Sequence, residues 1–284
     1  MSAPEPSQAT NTTTNASRTD TRALLATCVA AAVRGGEIVR AAAADLSRLI
    51  WDVKAPADFV SDVDRDSERA IIQLVHERHP GARMVGEEMS PEAAANLAGL
   101  CFVADPLDGT TNFLHGYPCY AVSVAAVVAG VPRAGAILNV PTGELFTATQ
   151  GGGARRAGEP IAVSTRTDPE RSLIGTGFPF KNPDLVAPYL GPFAEITRRT
   201  AGIRRAGAAA LDLADVACGR FDAFWELRLA PWDVAAGLLL VREAGGLATD
   251  LDGRQAPVGF GPVVAGNPTM HPWLLDQLRR DGDA

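Results

Sequence analysis

The residues of this chain best suited to chemistry stand in one run, 105–116, which reads Asp-Pro-Leu-Asp-Gly-Thr-Thr-Asn-Phe-Leu-His-Gly. It follows the apolar residues 100–104, which are typical of a buried strand. Asp105 and Asp108 are therefore predicted to lie where a strand ends and a turn begins. The proline between them disfavours a helix and would leave the carbonyl of Leu107 free for a cation. Carboxylate and carbonyl oxygens are the ligands that Mg²⁺ prefers.

The residues after the second aspartate suit an anion. Gly109 lets the backbone approach a ligand closely, and Thr110 and Thr111 could cap a following helix. The first N–H groups of such a helix would suit a phosphate. However, Asp-x-x-Asp-Gly is also a common sequence for a tight turn, so this run alone leaves both interpretations open.

Two further acidic sites favour the functional interpretation. Glu87 and Glu88 follow the apolar pair 84–85, and Asp233 opens an apolar helix predicted over 234–241. Taken singly, the glutamates are typical of a solvated surface pair and the aspartate of a helix N-cap. Together with residues 105–108, they place acids at three separated strand or helix ends, which is how oxygen-rich Mg²⁺ sites are assembled.

The elements that must position these residues can be outlined from hydrophobic periodicity. A first helix is predicted over 20–49, and a glycine pair inside it would weaken it unless another element packs closely there. A second helix begins between Ser61 and Asp64. Strands are then predicted over 100–104, 120–128, 133–140 and 145–149. Beyond a predicted link at 151–164, strands and helices alternate, which indicates an α+β first half and an α/β second half.

Length and composition set further limits. The 284 residues suffice for one large or two medium domains, and we divide them into a disordered tail (1–19), a metal-binding half (20–160) and a half that completes the site (161–284). The apolar runs are too short to span a bilayer, and four cysteines in apolar contexts are typical of reduced thiols, so we expect a cytoplasmic protein. The formal net charge of −7 disfavours a general nucleic-acid surface.

In order and spacing, the motifs resemble those of the inositol monophosphatase family. The matching motifs are Gly-Glu-Glu at 86–88, Asp-Pro-Leu-Asp-Gly-Thr-Thr-Asn-Phe at 105–113, Trp-Asp-Val-Ala-Ala-Gly at 232–237 and Glu-Ala-Gly-Gly at 243–246. The resemblance extends from about Leu24 to Leu278, and the run at 204–212 is most similar to the bacterial branch. It implies a layered α-β-α-β-α sugar-phosphatase fold.

The resemblance also implies roles for individual residues. The implied Mg²⁺ ligands are Glu87, Asp105, the carbonyl of Leu107, Asp108 and Asp233. Thr110 and Asp64 would orient the attacking water. The implied substrate contacts are the amides of Gly109 and Thr110 for the phosphate, and Asp108, Gly207, Ala208, Ala209 and Glu226 for hydroxyl groups. Related sequences usually carry Ser or Thr at the position of Ala208, so a hydroxyl is missing there.

We therefore expect a Mg²⁺-dependent phosphomonoesterase that acts on myo-inositol 1-phosphate or a related cyclitol or sugar phosphate through a metal-activated water. Fructose 1,6-bisphosphate, histidinol phosphate and 3′-phosphoadenosine 5′-phosphate are alternative substrates, although Thr111-Asn112-Phe113 resembles the inositol branch. A hypothesis of another class is a dimeric regulatory protein that contacts the transcription machinery. The resemblance alone implies a homodimer and inhibition by Li⁺.

Overall fold

A computed structural model describes residues 12–55, 58–179 and 182–280. Its α-helices are α1 (Thr12–Ala43), α2 (Asp62–Arg78), α3 (Thr110–Leu114), α4 (Val186–Arg199), α5 (Ala209–Ala217), α6 (Pro231–Glu243) and α7 (Met270–Arg280). Its strands are β1 (Trp51–Ala55), β2 (Asp58–Ser61), β3 (Arg83–Gly86), β4 (Leu100–Asp108), β5 (Ala121–Val128), β6 (Val131–Asn139), β7 (Leu145–Thr149), β8 (Gly153–Arg156), β9 (Glu159–Ile161), β10 (Leu173–Thr176), β11 (Gly202–Arg204), β12 (Ala223–Leu229), β13 (Leu247–Thr249) and β14 (Gly261–Gly266). None of the helices in these ranges is long and apolar enough to cross a membrane.

The larger sheet has seven strands in the sequential order β3 to β9, and all neighbours are antiparallel except β3 and β4. Both faces of its central strands are buried. In β4, Cys101 and Val103 join the core on one face, whereas Phe102 and Ala104 join the core on the other. This alternation follows from the two-residue period of a strand and explains why the sequence here is continuously apolar.

The smaller sheet has five strands in the order β11-β10-β12-β14-β13. The strand β10 pairs in parallel with both β11 and β12, whereas β14 pairs antiparallel with β12 and β13. The alternation of helices and strands predicted for the second half therefore forms a mixed sheet.

The two sheets and six helices form five layers. Helices α1 and α2 pack on the outer face of the seven-stranded sheet, α5 and α6 lie between the sheets, and α4 and α7 cover the five-stranded sheet. The layered α-β-α-β-α fold predicted from the sequence is thus confirmed. One core cluster contains residues of both sheets, because α5 and α6 bury apolar side chains on two sides.

Four predicted element boundaries were wrong, and one of them is the end of the first helix, which lies at Ala43 and not at residue 49. The first helix begins at Thr12, so residues 12–19 of the expected disordered tail are helical. The reason is that a helix that has already formed adds further residues at little cost. The rest of the expected tail, residues 1–11, lies outside the described ranges. The segment 151–164, predicted to be a link, contains the hairpin of β8 and β9. Glycines of this segment lie in the turns before and within the hairpin. The strand β4 continues through Asp108 instead of ending at residue 104.

Both glycines of α1 lie at close contacts with other elements, Gly35 with α2 and Gly36 with Leu138 of β6, as expected for a glycine pair in a stable helix. A Cβ atom added to Gly35 would lie 2.7 Å from Ser67 Oγ of α2 and 3.0 Å from Ile71 Cδ1. The same Ser67 hydroxyl donates a hydrogen bond of 3.0 Å to the carbonyl of Pro106 in β4. The missing side chain at Gly35 therefore lets α2 bind the strand that carries the two aspartates.

We expect Gly35→Ala to destabilise the protein even though alanine favours a helix. The gain in helix propensity is about 1 kcal/mol, whereas overpacking and loss of the Ser67 hydrogen bond together cost about 2 to 4 kcal/mol. The free energy of unfolding measured in urea should fall by about 1 to 3 kcal/mol. Gly81→Ala is the control, because a Cβ there meets no atom within 4 Å. An unchanged or higher stability for Gly35→Ala would contradict the close contact.

Candidate active site

A cavity of about 460 Å³ lies where β4, α3, α5, β12 and α6 meet. The residues that line it are Phe59, Glu87, Asp105, Leu107, Asp108, Gly109, Thr110, Thr111, Gly177, Phe178, Arg205, Gly207, Ala208, Ala209, Asp212, Glu226, Leu229 and Asp233. Of the site residues named from the sequence, all except Asp64 belong to this lining. Acidic residues far apart in the chain therefore surround one space.

A β-bulge places the two aspartates of β4. Asp105 pairs with Ser123 of β5, but Asp108 pairs with Ala121, so β4 contains one more residue than its partner between these points. The two aspartates were predicted to lie at the end of a strand, but they lie at a bulge within one. A bulge also changes the direction of side chains, so the expected effect on Asp105 and Asp108 is the same. Asp105 also accepts a hydrogen bond of 2.9 Å from the Leu107 N–H, which fixes its carboxylate.

Asp108 connects the two halves of the chain. Its Oδ2 accepts a hydrogen bond of 2.8 Å from the N–H of Ala210, at the start of α5. The N-cap residue of α5 is Ala208, which has no side chain to cap the helix. The carboxylate of Asp108 thus satisfies a helix N–H that the side chain of a Ser or Thr at position 208 could otherwise cap.

Asp64 lies next to the cavity and holds the Thr110 hydroxyl. Its Oδ2 accepts hydrogen bonds from the Ser61 N–H (2.8 Å) and hydroxyl (2.5 Å), while its Oδ1 lies 3.0 Å from Thr110 Oγ1. Thr110 Oγ1 is also 3.0 Å from the Leu107 carbonyl, and its one hydrogen can be donated either to this carbonyl or to Asp64. A carbonyl oxygen has two lone pairs, and the second remains available to a cation.

The helix after the bulge begins differently from the prediction. The N-cap of α3 is Gly109, at φ 90°, and Thr110 is the first helical residue. A left-handed φ favours glycine, because an L side chain is strained there. The backbone of Gly109 thereby approaches the cavity while the Thr110 hydroxyl faces Asp64.

Asp233 and Glu87 complete the acidic lining. Asp233 lies in the first turn of α6, and its Oδ2 accepts a hydrogen bond of 2.7 Å from the Ala230 N–H. Glu87 follows β3 in a turn held by the buried Glu68 of α2. The carboxylate of Glu68 accepts hydrogen bonds from the N–H groups of Glu88 (2.8 Å) and Met89 (3.1 Å).

The acids of the cavity raise one another's pKa values. Burial, followed by the charges of Glu87, Asp108 and Asp233, holds the pKa of Asp105 well above its ordinary value. Burial and the charge of Asp233 raise the pKa of Asp108 to about 7, against the opposing effect of the α5 backbone N–H groups. The site thus has excess negative charge that a cation would stabilise.

We expect the metal-free protein to lose stability as the pH rises. Asp108 is ionised above about pH 4 in the unfolded chain, but in the folded protein only above its raised pKa of about 7. The unfolded state therefore releases its proton first, and folding becomes less favourable between these values. In EDTA, the melting temperature should be lower at pH 8 than at pH 5 by roughly 5 °C. Asp108→Asn should reduce this difference; an equal difference in both proteins would contradict the assignment.

The donor chemistry of the site fits Mg²⁺. Carboxylates and a backbone carbonyl are hard oxygen ligands, and burial followed by neighbouring carboxyl charges raises the pKa values of Asp105 and Asp108, an environment that a cation would stabilise. Within the described ranges, no three acidic, histidine or cysteine side chains already stand in an arrangement that could hold a metal ion. Because these carboxylates repel one another, their convergence would require the cation itself.

Several lining residues were not named as site residues from the sequence. Arg205 lies over the ring of Phe178, with its guanidinium carbon 5.5 Å from the ring centroid. Asp212 is buried in α5, and burial together with the charge of Glu226 raises its pKa well above the ordinary value. Asp212 is one of two acidic residues, with Asp215, in a helix whose other residues are all apolar, and this pattern was the signal that could have identified it.

Comparison with known proteins gives consistent matches. A family model described as "Inositol monophosphatase family" matches residues 20–282. The inositol-1-monophosphatase of Rhizobium meliloti is 41% identical, over 91% of this chain and 97% of that protein. The Nus factor SuhB of Pseudomonas aeruginosa is 42% identical, over 88% and 96% of the two chains.

Solved structures agree with the sequence matches. The extragenic suppressor protein suhB of Bartonella henselae superimposes with a TM-score of 0.83 at 38% identity, over 91% of this chain and 99% of that chain. The inositol monophosphatase of Anabaena gives a TM-score of 0.80 at 33% identity, over 92% and 97%. Both similarities extend across nearly the whole chain.

Proposed function

The chain belongs to the inositol monophosphatase family, and we propose that it is a Mg²⁺-dependent phosphomonoesterase that hydrolyses myo-inositol 1-phosphate or a related cyclitol or sugar phosphate. Phosphatase activity is supported by the family and by relatives named inositol-1-monophosphatase. The observation that carries the proposal is the single cavity shared by Glu87, Asp105, Asp108 and Asp233, with the Thr110 hydroxyl beside it.

The carboxylates would hold two cations. Glu87, Asp105 and the Leu107 carbonyl suit one, and Asp105, Asp108 and Asp233 suit the other, with Asp105 shared. When bound, Mg²⁺ would compensate the carboxylate charges, polarise the phosphate and acidify a water molecule. The bulge of β4 supports this assignment, because it directs Asp105 and Asp108 into the same space.

Thr110 and Asp64 would orient the attacking water. Asp64 is held by two hydrogen bonds from Ser61, which leaves its Oδ1 directed at the Thr110 hydroxyl. With its hydrogen donated to Asp64, Thr110 Oγ1 can accept a hydrogen bond from water and align its lone pair with phosphorus. No nucleophilic side chain is needed, since phosphoryl transfer depends mainly on alignment and charge neutralisation.

The phosphate would meet the amides of Gly109 and Thr110, and the hydroxyl groups of the substrate would meet an adjoining wall of the cavity. That wall consists of Asp108, Gly207, Ala208, Ala209 and Glu226, all of which line the cavity. The loss of a hydroxyl at Ala208 removes one donor from this wall. The backbone N–H groups and the two carboxylates can still bind the hydroxyl groups of a polyol.

The motif Thr111-Asn112-Phe113, which resembles the inositol branch, would influence the shape of the site through Asn112. Asn112 Nδ2 lies 2.7 Å from the carbonyl of Cys119 and 2.9 Å from that of Ala206. These hydrogen bonds hold the segment before α5 against α3. Asn112 would thus set the distance between the phosphate side and the polyol side of the cavity, which supports a preference for a substrate of fixed size.

A substrate panel tests the proposal. Purified protein is assayed with Mg²⁺ on myo-inositol 1-phosphate, fructose 1,6-bisphosphate, histidinol phosphate and 3′-phosphoadenosine 5′-phosphate. We expect the highest kcat/KM for myo-inositol 1-phosphate or another cyclitol or sugar monophosphate, no turnover in EDTA, and inhibition by Li⁺. A strong preference for histidinol phosphate would overturn the substrate assignment, and undiminished turnover in EDTA would overturn the metal assignment.

We propose as a second candidate a homodimeric regulator that contacts the transcription machinery, which the relatives named Nus factor SuhB favour. Such a role does not require catalysis. Wild-type protein and a catalytically inactive variant should then bind equally to purified RNA polymerase complexes, and light scattering should give the mass of a dimer. Absence of binding by both proteins would exclude this role.

A further inference from the structure

One carboxyl group in the cavity has an unused hydrogen-bond acceptor. Asp212 is 1% exposed and lines the cavity from α5. Within the part of the chain that the structure describes, its Oδ1 is buried and has no hydrogen-bond partner. An unsatisfied buried polar atom is costly, so native proteins keep one mainly where a ligand or water supplies the partner.

Another buried aspartate shows what a structural role requires. Asp222 is 2% exposed, and its carboxylate accepts hydrogen bonds from Ser164 Oγ (2.5 Å), Arg166 Nε (3.2 Å) and the Leu173 N–H (2.8 Å). Asp222 does not line the cavity. The contrast indicates that Asp212 is not kept to hold the fold together.

The surroundings of Asp212 define the ligand group that would match it. The carboxyl groups of Glu226, Asp108 and Asp215 act on it electrostatically, and Arg205 opposes them. Three carboxyl groups disfavour an anion here, so a phosphate is a poor partner. A carboxyl oxygen accepts hydrogen bonds, and the complementary neutral donor is a hydroxyl group.

We propose that Asp212 determines substrate specificity, its Oδ1 accepting a hydrogen bond from a hydroxyl group in the polyol part of the substrate. This inference rests on the proposed phosphatase function and deepens it. Asp212 and Glu226 then form a pair of acceptors that requires several hydroxyl groups on the ring. Phosphate esters without such groups gain nothing from Asp212.

The test compares two substrates in one variant. Asp212→Ala should lower kcat/KM for myo-inositol 1-phosphate about 10- to 100-fold, mostly through KM, and leave that for p-nitrophenyl phosphate within about twofold. Asp212→Asn keeps an oxygen acceptor in place and should recover part of the loss. Asp215→Asn removes an acid of the same helix that acts on Asp212 through its charge, binds Arg220 at 3.0 Å and does not line the cavity. Because it leaves the Asp212 acceptor in place, it should leave the substrate ratio unchanged.

Calorimetry separates this inference from the proposed function. With Mg²⁺ present, Asp212→Ala should weaken the binding of myo-inositol and leave the binding of inorganic phosphate unchanged. Equal losses on both substrates, or no loss on either, would overturn the role of Asp212. If wild-type protein hydrolyses neither ester, the phosphatase proposal fails. Unchanged binding of myo-inositol to Asp212→Ala would separately overturn the proposed contact between Asp212 and a substrate hydroxyl group.

Discussion

Asp105→Asn is expected to lower kcat by at least about a thousandfold while the protein stays folded. Asp105 is the carboxylate proposed to be shared by both cations, and loss of its charge removes about 4 kcal/mol or more of transition-state stabilisation. The variant should also bind Mg²⁺ more weakly in calorimetry. Asparagine keeps an oxygen for the Leu107 N–H, so the bulge can persist.

The stability of this variant should move in the opposite direction from its activity. Burial and neighbouring acids raise the pKa of Asp105, so a neutral side chain removes an unfavourable buried charge. Without metal, the melting temperature should equal or exceed that of wild type. Asp222→Asn is the matched control, since it breaks a buried hydrogen-bonded network away from the cavity. It should lower the melting temperature and leave kcat within about twofold. Turnover by Asp105→Asn near the wild-type rate would contradict the metal assignment.

Thr110→Ala is expected to lower kcat by about 100-fold or more. The alanine lacks the hydroxyl that lies 3.0 Å from Asp64 Oδ1, so the attacking water loses its orientation. Because the side chain of Thr110 is not among the proposed cation ligands, the dissociation constant for Mg²⁺ should change little. That constant distinguishes loss of water orientation from loss of metal.

Thr110→Ser is the matched control for the hydroxyl. Serine retains the oxygen and lacks only the methyl group, so it should restore most of the turnover. The melting temperatures of the two variants should agree within a few degrees, since Thr110 is half-buried in a short helix. If Thr110→Ala keeps kcat within a few-fold of wild type, or if serine fails to restore it, the hydroxyl does not orient the water.

The sequence predicted the elements with strong apolar patterns. The run 100–104 and the helix after Asp233 are apolar on all sides because they are buried on two faces, between layers. The bulge after Asp105 and the hairpin of β8 and β9 were not predicted. A bulge depends on the register with a neighbouring strand, and hairpin residues such as Gly153 carry little periodicity of their own.

The sequence predicted which residues form the site, but not the hydrogen bonds between them. The hydrogen bond from Ala210 to Asp108 joins residues 102 positions apart, and no local pattern reports such a contact. Nor could the sequence show that, among the residues that the structure describes, Asp212 Oδ1 has no hydrogen-bond partner at the same cavity, because this depends on the position of every neighbouring side chain. Residue types thus indicated the chemistry, and the geometry supplied the partners.

The most direct test is a crystal structure grown with Mn²⁺ and inorganic phosphate, with anomalous scattering used to locate the ions. We predict anomalous peaks in the cavity, one contacting Glu87 and Asp105 and one contacting Asp105, Asp108 and Asp233, with a phosphate oxygen on each. A cavity that contains no Mn²⁺ peak at saturating ion, with the four carboxylates still apart, would contradict the account.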